Sequence, residues 1–185
     1  AAILAQRLSS SVTGVDLRRD FDAVALGYCD LKTGDATSLE FGPGEFDFVF
    51  SYHALEHIED PLKALDEMKR VLGPGGGFWI GTPNKSRLLG YIGGKNTSFA
   101  EKVRWNVADW RMRLQGEFEN RFGAHAGFTR PELNHMLASV FTQVDDRTLD
   151  YFCKVYAGKA GVIRTIEKLG FSSAVYPSVY FSGRR

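Results

Sequence analysis

The fold is decided by residues 46–83, FDFVFSYHALEHIEDPLKALDEMKRVLGPGGGFWIGTP. The run 46–51 is almost continuously apolar, which is typical of a strand covered on both faces of a sheet. Asp60 is a preferred N-cap and Pro61 suits the first helical position, so the sequence predicts a helix from Pro61. The apolar residues of this helix recur at helical spacing and are Leu62, Leu65, Met68 and Leu72.

The segments on either side of this helix indicate an α/β fold. The glycines at 73–77 form a turn that leads into a second strand at 78–80. Upstream, 12–17 and 28–33 are shorter β-type runs, and 1–8 has the spacing of a helix. Strands that alternate with helices predict a largely parallel, Rossmann-like sheet with helices on both faces.

Composition excludes several classes of protein. The 185 residues are 44% hydrophobic and 24% charged, as in an ordinary soluble domain. Lysine and arginine number 23 against 22 acids, so the net charge of +1 favours neither nucleic acid nor a membrane as a partner. Cys29 and Cys153 are too few for a disulfide scaffold, and no apolar run reaches the roughly 20 residues of a membrane span. We expect a cytoplasmic protein of unknown oligomeric state.

We expect a single domain over 1–185, in which 1–84 forms one half. Residues 85–128 break the alternating pattern and are interpreted as an insertion or lid. The third part, 129–185, opens with a capping box, Thr129 followed by Glu132, before a second helix. It then continues with a strand at 141–147, a short helix at 163–169 and a last strand at 175–182.

Two acids follow consecutive predicted strands. Asp16 closes the run 12–17, and Asp35 comes just after the run 28–33. In open α/β sheets ligands bind beyond the carboxyl ends of the strands, where Asp16 could accept from both hydroxyls of a ribose. Asp35 could accept from the exocyclic amine of adenine. Either acid alone is as well explained by a turn or a helix cap, but the pair describes an adenosine-shaped site.

Five segments in this order resemble class I S-adenosylmethionine-dependent methyltransferases of the type 11 group. They are 12–17 (VTGVDL), 34–36 (GDA), 46–51 (FDFVFS), 55–61 (LEHIEDP) and 70–76 (RVLGPGG). The resemblance is close over 1–84 and loose beyond. It implies that 1–84 binds S-adenosylmethionine, with Asp16 and Leu17 at the ribose and Asp35 and Ala36 at the adenine. It also implies an antiparallel last strand.

The resemblance further places Ser51 and Tyr52 near the methionine end of the cofactor, and His53 near the substrate. One departure is that no first strand and no Gly-x-Gly-x-Gly loop precede Asp16. We therefore expect an N-terminally truncated sheet in which two strands each lack a partner.

A second pattern is His53-x-x-Glu56-His57. An inverted zinc-protease motif would need these residues within a helix, whereas here they follow a predicted strand. They resemble the Glu-x-x-Glu-His segment of ubiquinone-pathway O-methyltransferases and small-RNA 2′-O-methyltransferases, with His53 in place of the first Glu. His125, just before Thr129, resembles the later histidine of the RNA enzymes. This resemblance implies a divalent-metal site of His53, Glu56, His57 and His125; the alternative is that His57 packs over the cofactor pocket without a metal.

These observations predict a methyltransferase that acts on a small molecule or saccharide at oxygen, with His53 and His57 as catalytic residues. One alternative is a metal-assisted RNA 2′-O-methyltransferase. A nicotinamide-dependent oxidoreductase would also place an acid after its second strand. The last alternative is a non-catalytic, methyltransferase-like fragment that binds no cofactor.

Overall fold

The computed structural model describes residues 2–8, 10–91, 97–122 and 124–185. Its strands form two sheets, one of two strands in the order β1-β2 and one of four in the order β3-β4-β6-β5. The strands are β1 (Thr13–Asp16), β2 (Asp30–Thr33), β3 (Phe46–Tyr52), β4 (Leu72–Pro83), β5 (Gln143–Asp146) and β6 (Ser178–Arg184).

Helices connect these strands. They are α1 (Ala2–Leu8), α2 (Ala23–Leu26), α3 (Pro61–Val71), α4 (Phe99–Leu114), α5 (Arg130–Val140), α6 (Thr148–Val155), α7 (Ala160–Lys168) and α8 (Ser172–Val175). The two helices that the sequence marks with caps begin where predicted. The Asp60 side chain accepts from the backbone N–H of Lys63, and Thr129 and Glu132 form a complete capping box.

The strand directions match an α/β sheet with an antiparallel end. β1 pairs with β2, and β3 pairs with β4, both in parallel. β6 is antiparallel to both β4 and β5, which confirms the expectation for the last strand. The glycines at 73–77, which were expected to form a turn before the strand, lie within β4 instead. The strand bulges there, because Phe46 pairs with Leu72 while Phe48 already pairs with Gly77.

The main core lies on one face of the four-stranded sheet. α3 and α5 cover this face, and Phe78, Ile80 and Phe181 from the strands are buried beneath them. A second cluster on the opposite face packs Phe152 of α6 and Ile163 of α7 against the sheet. Helices therefore lie on both faces, as predicted.

Two burial predictions are wrong. We expected β3 to be covered on both faces, but Phe48, Phe50 and Tyr52, which share one face, are 53%, 45% and 46% exposed. Val49 and Ser51 lie on the other face, which is turned toward the core. Phe48, Phe50 and Tyr52 are exposed because no described helix covers their face of this strand. Leu62 was expected on the buried stripe of α3 but is 46% exposed.

β3 and β1 each have one paired edge in the part of the chain that the structure describes. β3 pairs only with β4, and β1 only with β2.

Candidate active site at the carboxyl end of β3

His53 stands at the carboxyl end of β3 in a strained backbone conformation. Its φ of 52° lies in the left-handed region, which is uncommon for a residue with a side chain. Its backbone N–H donates to the carbonyl of Gly81 on β4 at 2.8 Å. Its Nε2 lies 3.3 Å from Oγ of Ser178, and its ring packs on Tyr52 at 4.5 Å between centroids. The strand end is thus bent so that the imidazole is fixed beside β6.

Glu56 lies one short turn further on, and its side chain is buried. The residue is 3% exposed, and neither carboxylate oxygen has a hydrogen-bond partner among the described residues. Nδ1 of His53 and Nε2 of His57 each lie 3.9 Å from Oε1 of Glu56. A buried carboxylate without partners is costly, and such groups in native structures point to a function or to an unseen ligand.

His125 reaches the same place from the segment between α4 and α5. Its ring lies edge-on to His57 with the centroids 4.8 Å apart. Potential ligand atoms of Glu56, His57 and His125 all lie within 4.8 Å of one another. The structure therefore brings together three of the four predicted metal ligands, while His53 stands beside Glu56 outside this group.

A buried arginine that we did not predict holds the His125 segment in position. Arg87 is 4% exposed and donates to the backbone carbonyls of Asn84, His125 and Ala126. The positive charge of its guanidinium is balanced by the carboxylate of Asp109 on α4, with 3.0 Å between the nitrogen and the oxygen. Arg87 thus ties the end of β4, the helix α4 and the His125 loop to one another.

Gly127 allows the loop to approach the end of β4 closely. Its φ is +74°, and a Cβ at this position would lie 1.9 Å from the carbonyl oxygen of Pro83. The Asn120 side chain also fixes this backbone, because it accepts from the N–H of Gly127 at 2.8 Å. Only glycine fits here, so the approach of His125 to His57 depends on this residue.

Burial sets the protonation states of the cluster. It raises the pKa of Glu56 from 4.5 to about 7, although the positive charge of Arg87 acts in the opposite direction. Burial lowers the pKa of His53 from 6.5 to about 4, and the charges of Arg87, His125 and His57 add to this effect. Burial and the charge of His125 also lower the pKa of His57. The neutral forms of His53 and His57 are therefore favoured near pH 7.

The donor set fits a divalent metal ion. An unpartnered carboxylate and neutral imidazoles are the groups that Zn²⁺, Mn²⁺ and Fe²⁺ accept. With Glu56, His57 and His125 as ligands, such an ion would replace the hydrogen bonds that Glu56 lacks.

The two candidate cofactor acids stand at neighbouring strand ends. Asp16 closes β1 and Asp35 follows β2, and the parallel register pairs Asp16 with Thr33. Both side chains are exposed. Asp35 accepts from the backbone N–H of Thr37 at 2.8 Å, which lowers the pKa of its carboxyl. Asp16 accepts from the N–H of Arg18 at 2.9 Å. Both acids therefore make local contacts of the kind expected if they only stabilise turns. Both carboxylates nevertheless face solvent, where a ligand could reach them.

The other predicted cofactor residues have different surroundings. Leu17 is exposed beside Asp16, and Ala36 packs on the edge of the main core. Ser51 is buried, and its hydroxyl has no partner within the described residues. Tyr52 is half exposed on the open face of β3. Their assignment to a cofactor stays a prediction.

Residues 1–80 match the sequence pattern of the methyltransferase domain family. The ubiquinone biosynthesis O-methyltransferase of Thiobacillus denitrificans is 30% identical over 105 residues, which are 55% of this chain and 44% of that protein. The first 80 residues are therefore similar to this methyltransferase domain family, and the match covers fewer than half of the 185 residues. Three curated relatives are matched over only 17%, 25% and 44% of their own length.

Solved structures share the fold of this chain. An S-adenosylmethionine-dependent methyltransferase of Mesorhizobium loti has a TM-score of 0.57 at 21% identity, covering 95% of this chain and 81% of that one. A phosphoethanolamine N-methyltransferase of Haemonchus contortus, solved with S-adenosylhomocysteine, has a TM-score of 0.58 at 18% identity. It covers 98% of this chain and 45% of that one. Within the described residues, no helix has the length and apolarity needed to cross a bilayer.

Proposed function

We propose that the protein transfers a methyl group from S-adenosylmethionine to an oxygen of a small molecule or saccharide. The observation that carries the proposal is the cluster of His53, Glu56, His57 and His125 at the carboxyl end of β3, on a chain whose first 80 residues match the methyltransferase family. The choice of oxygen is supported by the relative named as a ubiquinone biosynthesis O-methyltransferase.

In this proposal the strand ends hold the cofactor. Asp16, beside Leu17, would accept from the ribose hydroxyls, and Asp35, beside Ala36, would accept from the adenine amine. Ser51 and Tyr52 lie at the methionine end. Their task is to aim the methyl group at the acceptor, since proximity and alignment supply much of the rate in such a transfer.

The histidines take the proton. The acceptor O–H passes its proton to an imidazole nitrogen of His53 or His57, and the oxygen forms a bond to the methyl carbon. The electron pair of the broken carbon–sulfur bond stays on the cofactor sulfur. Because burial lowers both pKa values, both imidazoles are unprotonated near pH 7, while a pKa of about 4 makes His53 a weaker base than an unperturbed imidazole.

The first experiment is calorimetric titration with S-adenosylhomocysteine. We expect micromolar binding, and a loss of affinity of about tenfold or more in each of Asp16→Ala and Asp35→Ala. Asp66→Ala, which removes an exposed acid on α3, is the matched control and should bind as the parent does. If the chain binds NAD and not S-adenosylhomocysteine, it is an oxidoreductase; if it is folded and binds neither, the cofactor site proposed here is wrong.

A second candidate function is metal-assisted methylation of a hydroxyl, including the 2′-hydroxyl of RNA. It is favoured by the ligand atoms of Glu56, His57 and His125 within 4.8 Å and by the unpartnered Glu56 carboxylate. A divalent ion bound there would lower the pKa of a substrate hydroxyl. The net charge of +1 favours a small acceptor over RNA.

Metal titration tests this candidate, with Mn²⁺ and Zn²⁺ as probes. We expect His125→Ala to weaken binding by about tenfold or more, because it removes one of three converging ligands. The fourth histidine, His135, is exposed on α5, so His135→Ala is the control and should leave the affinity unchanged. Tight binding that survives His125→Ala would show that the metal does not sit at this cluster.

A further inference from the structure

Helix α4 presents an apolar stripe to solvent. Its outer apolar residues follow one another at spacings of four, four, three and four, which places them on one side of a helix. All are exposed, at between 41% and 86% of their surface. They are Phe99, Val103, Val107, Trp110 and Leu114. At about 100° per residue they fall within an arc of about 80°.

The inner side of the same helix carries its polar contacts, beside the partly buried Trp105 and Met112. Asp109 is buried and pairs with Arg87, and Asn106 donates to and accepts from the backbone of Gly90. Arg113 donates to the carbonyls of Lys85 and Arg87. A surface helix normally turns its apolar side inward and its polar side to water. α4 buries a charged residue and exposes a continuous apolar stripe, which indicates that its outer side contacts something other than water.

The charges beside the stripe have one sign. Arg104 and Arg111 are exposed and border the stripe on one flank. The two acids of α4 are committed elsewhere, Glu101 in the capping box with Ser98 and Asp109 in its pair with Arg87. The outer side of α4 is therefore apolar and cationic.

We propose that the outer side of α4 docks on an anionic lipid surface, lying in the plane of the headgroups. An apolar stripe bordered by arginines is the pattern of interfacial helices, whose arginines pair with lipid phosphates. The indole N–H of Trp110 donates to the carbonyl of Leu88 at 3.0 Å, so the ring can enter the interface without an unpaired donor. α4 spans about 24 Å, long enough for all five side chains to enter together.

The arginines beside the stripe argue against a second copy of the chain as the partner that covers it. Pairing two α4 stripes would bring Arg104 and Arg111 of both copies together without acids to face them. From the net charge of +1 we expected no contact with a membrane. The net charge does not show that the basic residues of this one helix lie together on one face. The docking surface is independent of methyl transfer, although Arg87 joins α4 to the His125 loop.

The test is co-sedimentation of the chain with phosphatidylcholine vesicles, with and without about a third of anionic phosphatidylglycerol. We expect binding to the anionic vesicles only, weakened by high salt. Val107→Glu should lower the bound fraction by about tenfold or more, as should Arg104→Gln combined with Arg111→Gln.

Matched controls lie on α7. Val162 is 62% exposed, the same fraction as Val107, so Val162→Glu changes an equivalent apolar site away from the stripe. Arg164→Gln is the corresponding control for charge. Circular dichroism and S-adenosylhomocysteine titration of each variant show whether the fold and the cofactor site survive, separately from docking.

Three outcomes would overturn the proposal. They are absence of binding to either vesicle, equal losses in Val107→Glu and Val162→Glu, and a dimer in sedimentation velocity that Val107→Glu dissociates without any vesicle binding. The last would assign the stripe to a second copy of the chain.

Discussion

Oε1 of Glu56 and Nδ1 of His53 lie 3.9 Å apart. The contributions of these two residues to the free energy of unfolding change with pH in opposite directions. The pKa of Glu56 is raised from 4.5 to about 7, so its contribution to folding is full below pH 4.5 and is lost as the pH rises through 7. The pKa of His53 is lowered from 6.5 to about 4, so its contribution is full above pH 6.5 and is lost as the pH falls through 4. Between pH 4.5 and 6.5 the two trends oppose each other.

Replacing Glu56 with glutamine should separate the two trends. The amide keeps the shape of the side chain but cannot ionise, so Glu56→Gln avoids the cost of a buried charge. Below pH 4.5 we expect no pH-dependent difference in the free energy of unfolding between the variant and the parent. From pH 4.5 to pH 7 we expect the variant to become progressively more stable than the parent. The raised pKa of Glu56 corresponds to at most about 3 kcal/mol in the free energy of unfolding. Urea unfolding at several pH values, with a chelator present, measures this gain.

The control is Glu59→Gln, at an exposed acid three residues away, which should change the free energy of unfolding by less than about 0.5 kcal/mol. A Glu56→Gln variant that is less stable than the parent at pH 8 would contradict the assignment. It would mean that the ionised carboxylate is well solvated or paired in the folded state.

At the scale of elements, caps identified two helices from sequence but did not suffice in general, since α4 also begins with a capping box, formed by Ser98 and Glu101, and was not predicted. α3 and α5 begin at Asp60 and Thr129 because those side chains satisfy free backbone N–H groups. α6 was missed; Arg147 precedes it and makes no side-chain cap. The run 46–51 was correctly predicted as a strand, but its apolar residues do not reveal that one face is left open.

Only part of the candidate active site leaves a local pattern in the sequence. Glu56 and His57 are neighbours in the chain, so a local pattern could predict that they act together. His125 joins them through Arg87 and through the close approach of Gly127 to Pro83, and neither contact leaves a local mark in the sequence. The polar inner side of α4 was equally invisible, because the charge of Asp109 is matched by an arginine 22 positions away.

At the scale of the whole molecule, burial is distributed unevenly between the two sheets. The main core takes its buried residues from Leu55 onward, and Cys29 is the one buried residue before Ser51 in the described ranges. β1 and β2, which carry the candidate cofactor acids, therefore rest on few buried contacts. The part proposed to bind the cofactor is also the part that folding stabilises least.

Hydrogen exchange should reveal this difference and its dependence on ligand. Amides of β1 and β2 should exchange faster than those of β4 and β6, because local opening there exposes little apolar surface. If Asp16 and Asp35 anchor the cofactor, S-adenosylhomocysteine at 100 times its Kd should slow exchange in β1 and β2 by up to about 100-fold. The ligand should leave β4 and β6 almost unchanged, and Asp16→Ala should weaken the effect. Equal slowing in both sheets would contradict the prediction, because it would mean that the two sheets open as one unit and that the cofactor acids stand on the common core.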